Sequence, residues 1–347
     1  MKKILFLVTL ISLMSFNFAK AQSSLIATLS HDDNVKVFYG SDALKQAHEA
    51  ATSGDVITLS SGSFTATDIT KAITLRGAGM AMDSLNNMNH TIITGDFKCT
   101  ISDTTTNLKM EGIYHNGSFK YDKIRRAQFL KCRFKIITYN DQQTSQLRDC
   151  VFLNCRIAEM FGVPVGKESD FLGNMFNNSI IEDFGPGSGN KKSSIFDNCI
   201  IISNRSSAAY LDYLGMSTFK NCIFIHNNGA SYLEPGAIAY NCIAVGTNTD
   251  IFKNTPNTTN KVVPLLSDVF LTYNSVSSIA NNDNETFELT EDAKTKYLGV
   301  DGTEVGIYGG TFPYTTILET PKIKKCNVAA KSTADGKLSV DIEVAVD

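Results

Sequence analysis

The sequence predicts an all-β protein built as a solenoid, and three observations lead to that fold class. A short motif centred on cysteine recurs at steps of 18 to 25 residues through the middle of the chain. No helical period runs through the repeat, which is rich in Ile, Phe, Asn, Gly and Ser. Asn or Asp commonly precedes the cysteine, and both residues tolerate the left-handed backbone of a sharp corner. Such a repeat is typical of a β-solenoid coil.

The motif consists of an apolar residue, two further residues, cysteine, one residue and a second apolar residue. One copy has Met in place of cysteine. Leucine-rich repeats have a similar length, but their Leu-x-x-Leu-x-Leu pattern is absent here. The six copies are Phe129–Phe134, Leu147–Phe152, Leu172–Asn177, Phe196–Ile201, Phe219–Phe224 and Ala239–Ala244.

The spacing within the motif indicates how each coil turns. Apolar residues at the first, fourth and sixth positions fit neither a single strand nor a helix. They fit two short strands joined by a corner, with the residue before cysteine in that corner. The sequence therefore predicts inward columns of Cys and Phe, including a stack of Phe196 on Phe219. We also expect the corner Asn side chains to hydrogen-bond along their column.

The beginning of the solenoid follows a recognisable order of elements. Val35–Tyr39 predicts a strand, and Ser41 or Asp42 predicts the cap of a short helix that extends to Ala51. A Gly-Asp strand, a Gly-x-aromatic turn and an Ile-x-Leu-x-Gly coil follow, up to Gly79. This order resembles the opening of pectin-lyase-like right-handed parallel β-helices, a fold of many secreted polysaccharide lyases. The resemblance implies that fold over residues 35–265 and does not by itself imply an activity.

The C-terminal part departs from the repeat. Asp301–Gly310 with the following Phe312-Pro313-Tyr314 resembles the closing segment of secreted β-helix proteins from Bacteroidota-type bacteria. Alternating apolar residues over 338–346, after a turn at Ala334-Asp335-Gly336, predict a final strand with one buried face. We therefore divide the chain into a signal peptide (1–21), an N-terminal strand and capping helix (22–52), a right-handed parallel β-helix with irregular final coils (53–318) and a C-terminal β-hairpin (319–347).

The N-terminus and the charge limit where the protein works and what it contacts. Lys2-Lys3, an apolar run over 4–18 and Ala19-Lys20-Ala21 have the order of a secretory leader with its cleavage site. The run is shorter than the ~20 residues of a spanning helix, so we expect an exported monomer without a membrane span, in the periplasm, at the cell surface or outside the cell. The formal net charge of −3 falls to −6 without the three leader lysines. Nucleic acid is therefore excluded as a partner, since phosphate contacts need clustered Lys and Arg.

Cysteine and acidic residues offer two further types of site. Five of the eight cysteines occupy the repeated inward position, and we favour buried thiols over strained disulfides between neighbouring coils. The scattered His residues and the lack of a Cys-x-x-Cys pair indicate no metal site and no cofactor. The loop 281–285 has oxygen ligands suited to Ca²⁺, but it lacks the spacing of a calcium-binding loop and reads as a surface turn.

Catalytic signatures of the resembled enzymes do not transfer to this chain. The Arg-x-Pro-x-x-Arg pattern of pectate lyases is absent, and none of the Asn-Thr-Asp, Asp-Asp, Gly-His-Gly and Arg-Ile-Lys patterns of polygalacturonases is present where it should be. We therefore expect a secreted β-helix that binds extracellular polysaccharide. Two alternatives stay open, a lyase-like or hydrolase-like enzyme acting on an acidic glycan and a purely structural or adhesive scaffold.

Counting along the repeat gives a candidate binding face. Arg156 and Arg205 each lie six residues after a repeated cysteine, two coils apart, and acidic residues lie on the coil between them. Paired Arg donors suit carboxylates or vicinal hydroxyls, and tyrosine rings suit sugar faces. A solvated ladder of alternating charges is the competing interpretation. The predicted substrate-binding residues are Arg156, Glu182, Asp183, Arg205, Tyr210 and Asp212.

Overall fold

The structure is a computed structural model. It describes residues 25–81, 90–101, 107–161, 170–185, 192–203, 216–226, 232–246, 250–255, 259–272, 285–318, 322–328 and 340–345. The predicted leader and most of the loop 281–285 lie outside the described residues. No helix in the described ranges is long and apolar enough to cross a membrane.

Short strands make up most of the described chain. In chain order they are β1 (Ile26–His31), β2 (Asn34–Tyr39), β3 (Val56–Leu59), β4 (Gly62–Thr65), β5 (Thr74–Arg76), β6 (Thr91–Thr94), β7 (Phe97–Cys99), β8 (Lys109–Glu111), β9 (Tyr114–Tyr121), β10 (Lys123–Arg125), β11 (Gln128–Leu130), β12 (Arg133–Tyr139), β13 (Gln146–Arg148), β14 (Val151–Leu153), β15 (Arg156–Phe161), β16 (Asp170–Asn177), β17 (Ile180–Ile181), β18 (Phe184–Gly185), β19 (Lys192–Asp197), β20 (Ile200–Ser203), β21 (Thr218–Lys220), β22 (Ile223–His226), β23 (Ile238–Tyr240), β24 (Ile243–Val245), β25 (Lys261–Val263), β26 (Lys322–Val328) and β27 (Val340–Ala345).

Two long sheets contain nearly all of these strands. The first has the order β2-β1-β3-β5-β8-β11-β14-β16-β19-β21-β23, with β10 and β13 beside this path. The second has the order β4-β6-β9-β12-β15-β17-β20-β22-β24-β25, with β7 and β18 beside it. Pairing is parallel throughout, except that β1 is antiparallel to β2 and β3. Each coil gives a strand to both sheets, so the prediction of a parallel β-solenoid is confirmed.

Helices are few. Helix α1 (Ala43–Ala50) follows β2 and buries Leu44, Ala47 and His48 against the start of the solenoid. It begins at the predicted Asp42, whose side chain makes no capping hydrogen bond. Helix α2 (Glu291–Lys296) and a 3₁₀ helix (Leu266–Asp268) belong to the C-terminal part, and β26 pairs with β27 as a separate antiparallel ribbon.

The core is an array of side-chain columns, one residue from each coil. Five phenylalanine rings on β11, β14, β16, β19 and β21 stack with centroids 4.6 to 4.9 Å apart. Phe196 lies directly on Phe219, as predicted, and both rings are fully buried. In these five coils each ring packs flat on the next, which excludes water between them.

The structure contains the predicted cysteine column, but the predicted alignment is wrong for two copies of the sequence motif. The column runs through Cys132, Cys155, Ser179, Cys199, Cys222 and Cys242, because the residues that follow them pair with one another. The repeat pattern in the sequence predicts Cys150 and Met175 in this column as well. Cys150 instead lies at another corner, where its backbone N–H donates to the Asn174 side chain. The true steps are 23, 24, 20, 23 and 20 residues, more regular than those predicted.

The column cysteines are buried free thiols, as favoured from the sequence. Three of the thiols donate to a carbonyl on the preceding coil: Cys155 to Phe129 O at 3.2 Å, Cys199 to Phe176 O at 3.2 Å and Cys222 to Phe196 O at 3.3 Å. Ser179 makes the same bond to Phe152 O through its hydroxyl. Burial raises the pKa of the Cys132 thiol to about 12, so it stays protonated.

The residue before each column position adopts the left-handed conformation that the corner requires. The φ angle is between 44° and 55° at Lys131, Asn154, Asn178, Asn198, Asn221 and Asn241. Five of these six residues are Asn, which confirms the prediction from corner chemistry. Asn221 Nδ2 also donates to Asn198 Oδ1 at 3.2 Å, so part of the column bonds to itself.

These corner residues also bind a C-terminal segment, residues 298–317, which we call the strap. It runs back along the corner column, against the order of the coils. Asn241 donates to Leu298 O, Asn178 to Ile307 O and Gly309 O, and Lys131 to Ile317 O. At Gly309 a Cβ atom would lie 2.7 Å from Asn198 Nδ2, so only glycine permits this approach.

Candidate functional site

One outward-facing column of the second sheet changes character along its length. The register aligns Tyr114, Arg133, Arg156, Ile180, Ile200, Ile223 and Ile243. The three last isoleucines are at most 2% exposed, because residues of the C-terminal part such as Val305 and Ile307 pack over them. The polar members at the other end remain open to a cleft.

The cleft lies between this column and the C-terminal part and has a volume of about 710 Å³. Its floor comes from four consecutive coils, so it extends over three coil spacings, or about 14 Å. The lining residues are Met80, Ala81, His90, Tyr114, Arg133, Arg156, Ile180, Glu285, Thr286, Tyr308, Tyr314, Thr315, Thr316 and Ile317.

Arg133 and Arg156 occupy equivalent positions on neighbouring coils. The Arg133 guanidinium lies over the Tyr114 ring, with Cζ 4.6 Å from its centroid. Arg156 is 7% exposed, and its Nε donates to Glu182 Oε1 at 2.5 Å. Glu182 is only 2% exposed, so this ion pair is buried behind the cleft floor. The pair fixes Arg156, whereas stacking on tyrosine orients Arg133.

Two tyrosines of the strap face these arginines from the opposite wall. Burial, with nearby carboxylates, raises the pKa of Tyr308 to about 12, and its hydroxyl donates to Thr286 O at 2.6 Å. Burial also raises the pKa of Tyr314 well above its usual range, although Arg156 and Arg133 act in the opposite direction. Both phenols therefore stay protonated at neutral pH and are hydrogen-bond donors rather than bases.

The structure places the six predicted site residues differently from the sequence-based count. Arg156 lines the cleft, but as a buried, ion-paired residue and not on the open surface as expected. Glu182 lies behind it as its partner, and Asp183 follows, half-buried, with its carbonyl accepting from Met160 N–H. Arg205, Tyr210 and Asp212 lie outside the described residues.

The proposed equivalence of Arg156 and Arg205 is wrong. It depended on aligning Cys150 with Cys199, whereas Arg156 pairs through Ile180 with Ile200. The neighbour that shares its column is Arg133. The sequence does carry a signal for this pair, since each arginine directly follows a column cysteine, as Cys132-Arg133 and Cys155-Arg156. The tyrosines of the strap give no comparable signal, because the position of the strap does not follow from the repeat.

Among the described residues, no group of three or more His, Cys, Asp or Glu could hold a metal ion. The one described residue of the loop 281–285, Glu285, accepts from the Thr272 hydroxyl at 2.9 Å. Comparison with protein-family models, with curated proteins and with solved structures finds no match for this chain.

Proposed function

We propose that the protein binds an acidic glycan in the cleft, and that it does so outside the cytoplasm. The observation that carries this proposal is the pair Arg133 and Arg156, held on neighbouring coils in one concave surface. Guanidinium groups bind carboxylates and vicinal hydroxyls through paired hydrogen bonds. A linear array of such donors suits a ligand that is itself a linear repeat.

The other residues of the cleft add an aromatic ring and hydroxyl groups, which also bind sugars. The Tyr114 ring, one face of which carries the Arg133 guanidinium, adds apolar surface, and Thr315 and Thr316 add hydroxyl groups. Volumes of 300–1,000 Å³ are typical of ligand pockets, so about 710 Å³ suits a short oligosaccharide. The leader-like segment 1–21 supports an exported location.

The two tyrosines of the cleft bear on whether a bound glycan could also be cleaved there. Abstraction of a proton next to a uronate carboxylate needs a base with a pKa near the working pH. The tyrosines that face the arginines have raised pKa values and stay protonated. These two tyrosines therefore do not supply the base of a lyase reaction.

Titration calorimetry with a uronate oligosaccharide tests the proposal, with the same oligosaccharide reduced at its carboxyl groups as the matched ligand. We expect binding of the acidic form only, and Arg133→Ala should weaken it at least tenfold. Arg125→Ala is the control variant, because Arg125 is exposed on the first sheet, away from the cleft. Equal binding by wild type and Arg133→Ala would contradict the proposal. Release of unsaturated products, followed by ultraviolet absorbance, would favour the enzymatic alternative.

A further inference from the structure

The cleft is closed at one end of the coil axis. Its floor column continues past Ile180 to Ile200 and Ile223, but there it is fully covered. Val305 and Ile307 pack onto these isoleucines as part of one buried apolar cluster. A ligand that runs along the axis in this direction therefore meets protein after the coil that carries Ile180.

The closing wall is held firmly in place. Ile307, which covers the column, precedes Tyr308, and Tyr308 bonds across to Thr286 O at 2.6 Å. Asn178 holds the strap at the same level, donating to Ile307 O at 2.8 Å and to Gly309 O at 2.7 Å. Since Asn178 is itself 4% exposed, these bonds are shielded from water. The wall is part of the folded core and not a loose loop.

The side chains of the cleft floor differ with their distance from this wall. Arg156 lies on the coil next to Ile180, at the closed end, and Tyr308 and Tyr314 face the same region. Arg133 follows one coil further away, and Tyr114 with His90 follows after that. Polar groups are therefore concentrated where a chain would stop, and Arg133 with Tyr114 lies along the part that the chain would pass.

We propose that the cleft recognises the end of an acidic glycan chain and not an internal segment, an inference that rests on the proposed function. The terminal sugar lies against the wall formed by Tyr308, within reach of Arg156. The preceding sugars pass Arg133 and contact the Tyr114 side chain. Three coil spacings, about 14 Å, limit the bound part to a few sugar units.

Binding capacity per unit mass separates end recognition from internal recognition. One acidic polysaccharide is used intact and after partial hydrolysis to chains about tenfold shorter, with each sample immobilised at equal mass. End recognition predicts about tenfold more protein bound per gram on the short chains. An unchanged or lower capacity would overturn the inference while leaving the proposed function in place. No binding to either sample would overturn the proposed function, and the inference with it.

End-blocked oligosaccharides give a second, independent measurement. Chains of about six units are labelled with a bulky group at the reducing end, at the non-reducing end or at both. We expect one singly labelled form to bind like the free chain, and the other singly labelled form and the doubly labelled form to lose at least tenfold in affinity. Arg133→Ala should weaken binding of every form that binds. Equal binding of the doubly labelled and free chains would overturn the inference.

Discussion

One outward column of the second sheet serves two different purposes. In its open half, Tyr114, Arg133 and Arg156 border the cleft; in its covered half, Ile200, Ile223 and Ile243 lie under the C-terminal part. The backbone register is continuous through both halves, so the coils themselves do not create the difference. The comparison teaches that side-chain identity at one repeat position decides whether the fold is sealed or left available for a ligand.

The largest expected loss of stability comes from replacing an arginine of the open half by isoleucine, the residue that occupies this column in the covered half. Arg156→Ile removes the Arg156 guanidinium from the buried Glu182 carboxylate, and breaking a buried pair in this way typically costs about 3–5 kcal/mol. The double variant Arg156→Ile with Glu182→Leu should recover most of that loss, because apolar replacement of a buried pair is often neutral. Urea denaturation of both variants measures this. A double variant as unstable as the single one would show that the pair does not act as a unit.

A second expected loss of stability, of about 3 kcal/mol, comes from a histidine in the inward column beneath the open half. Coils of the covered half place Ile201 and Phe224 at this position, whereas the open half has His115, fully buried between Phe97 and Phe134. Burial lowers the pKa of His115 from 6.5 to about 4. Between pH 6.5 and about 4, His115 is therefore protonated in the unfolded chain but not in the folded one. The contribution of His115 to the free energy of unfolding is fully present above pH 6.5 and should be lost as the pH falls to about 4.

The pH dependence of the free energy of unfolding tests this, with His115→Phe as the comparison. That variant loses the bond between Nε2 and Gly95 O, so it starts from a lower stability. It should, however, lack the part of the decline between pH 6.5 and 4 that belongs to this histidine. The same slope in both proteins would contradict the expectation.

The smallest expected loss of stability concerns the strap, which lies over the covered half. Asn178→Gly keeps the left-handed corner but removes two buried hydrogen bonds to the strap, which should cost about 1–3 kcal/mol. Asn241→Gly is the matched control, because it removes one exposed bond to Leu298 O and should cost less than ~1 kcal/mol. Chemical denaturation compares the two. Equal losses would show that the strap is not held mainly at its centre.

Sequence reasoning reached the coil architecture because the coil is a local property. The left-handed corner residue, which is Asn in five of six coils, and the inward Cys and Phe are encoded within six consecutive residues, so the solenoid could be predicted. The register failed at Cys150 because Asp149 precedes it in a second corner of the same conformation, with φ of 54°. Two corner types with similar chemistry look alike in a sequence.

The candidate site was predicted only in part, for a different reason. Arg156 and Glu182 were both selected, but their burial depends on how the C-terminal part lies over the second sheet. Tyr308 and Tyr314 reach the cleft through a strap whose position is set by backbone carbonyls, which leave no trace in residue identity. Long-range contacts of this kind cannot be counted from a repeat period.

The strap also changes how the solenoid should fold and unfold. In a simple repeat protein each coil contacts only its neighbours, so unfolding can start at an end and spread coil by coil. Here Lys131 bonds to a residue 186 positions later, and Asn178 to one 131 positions later. These contacts tie the middle coils to the last ones in a single cooperative unit. They also form only after most of the chain has been synthesised, and their high contact order predicts slow folding.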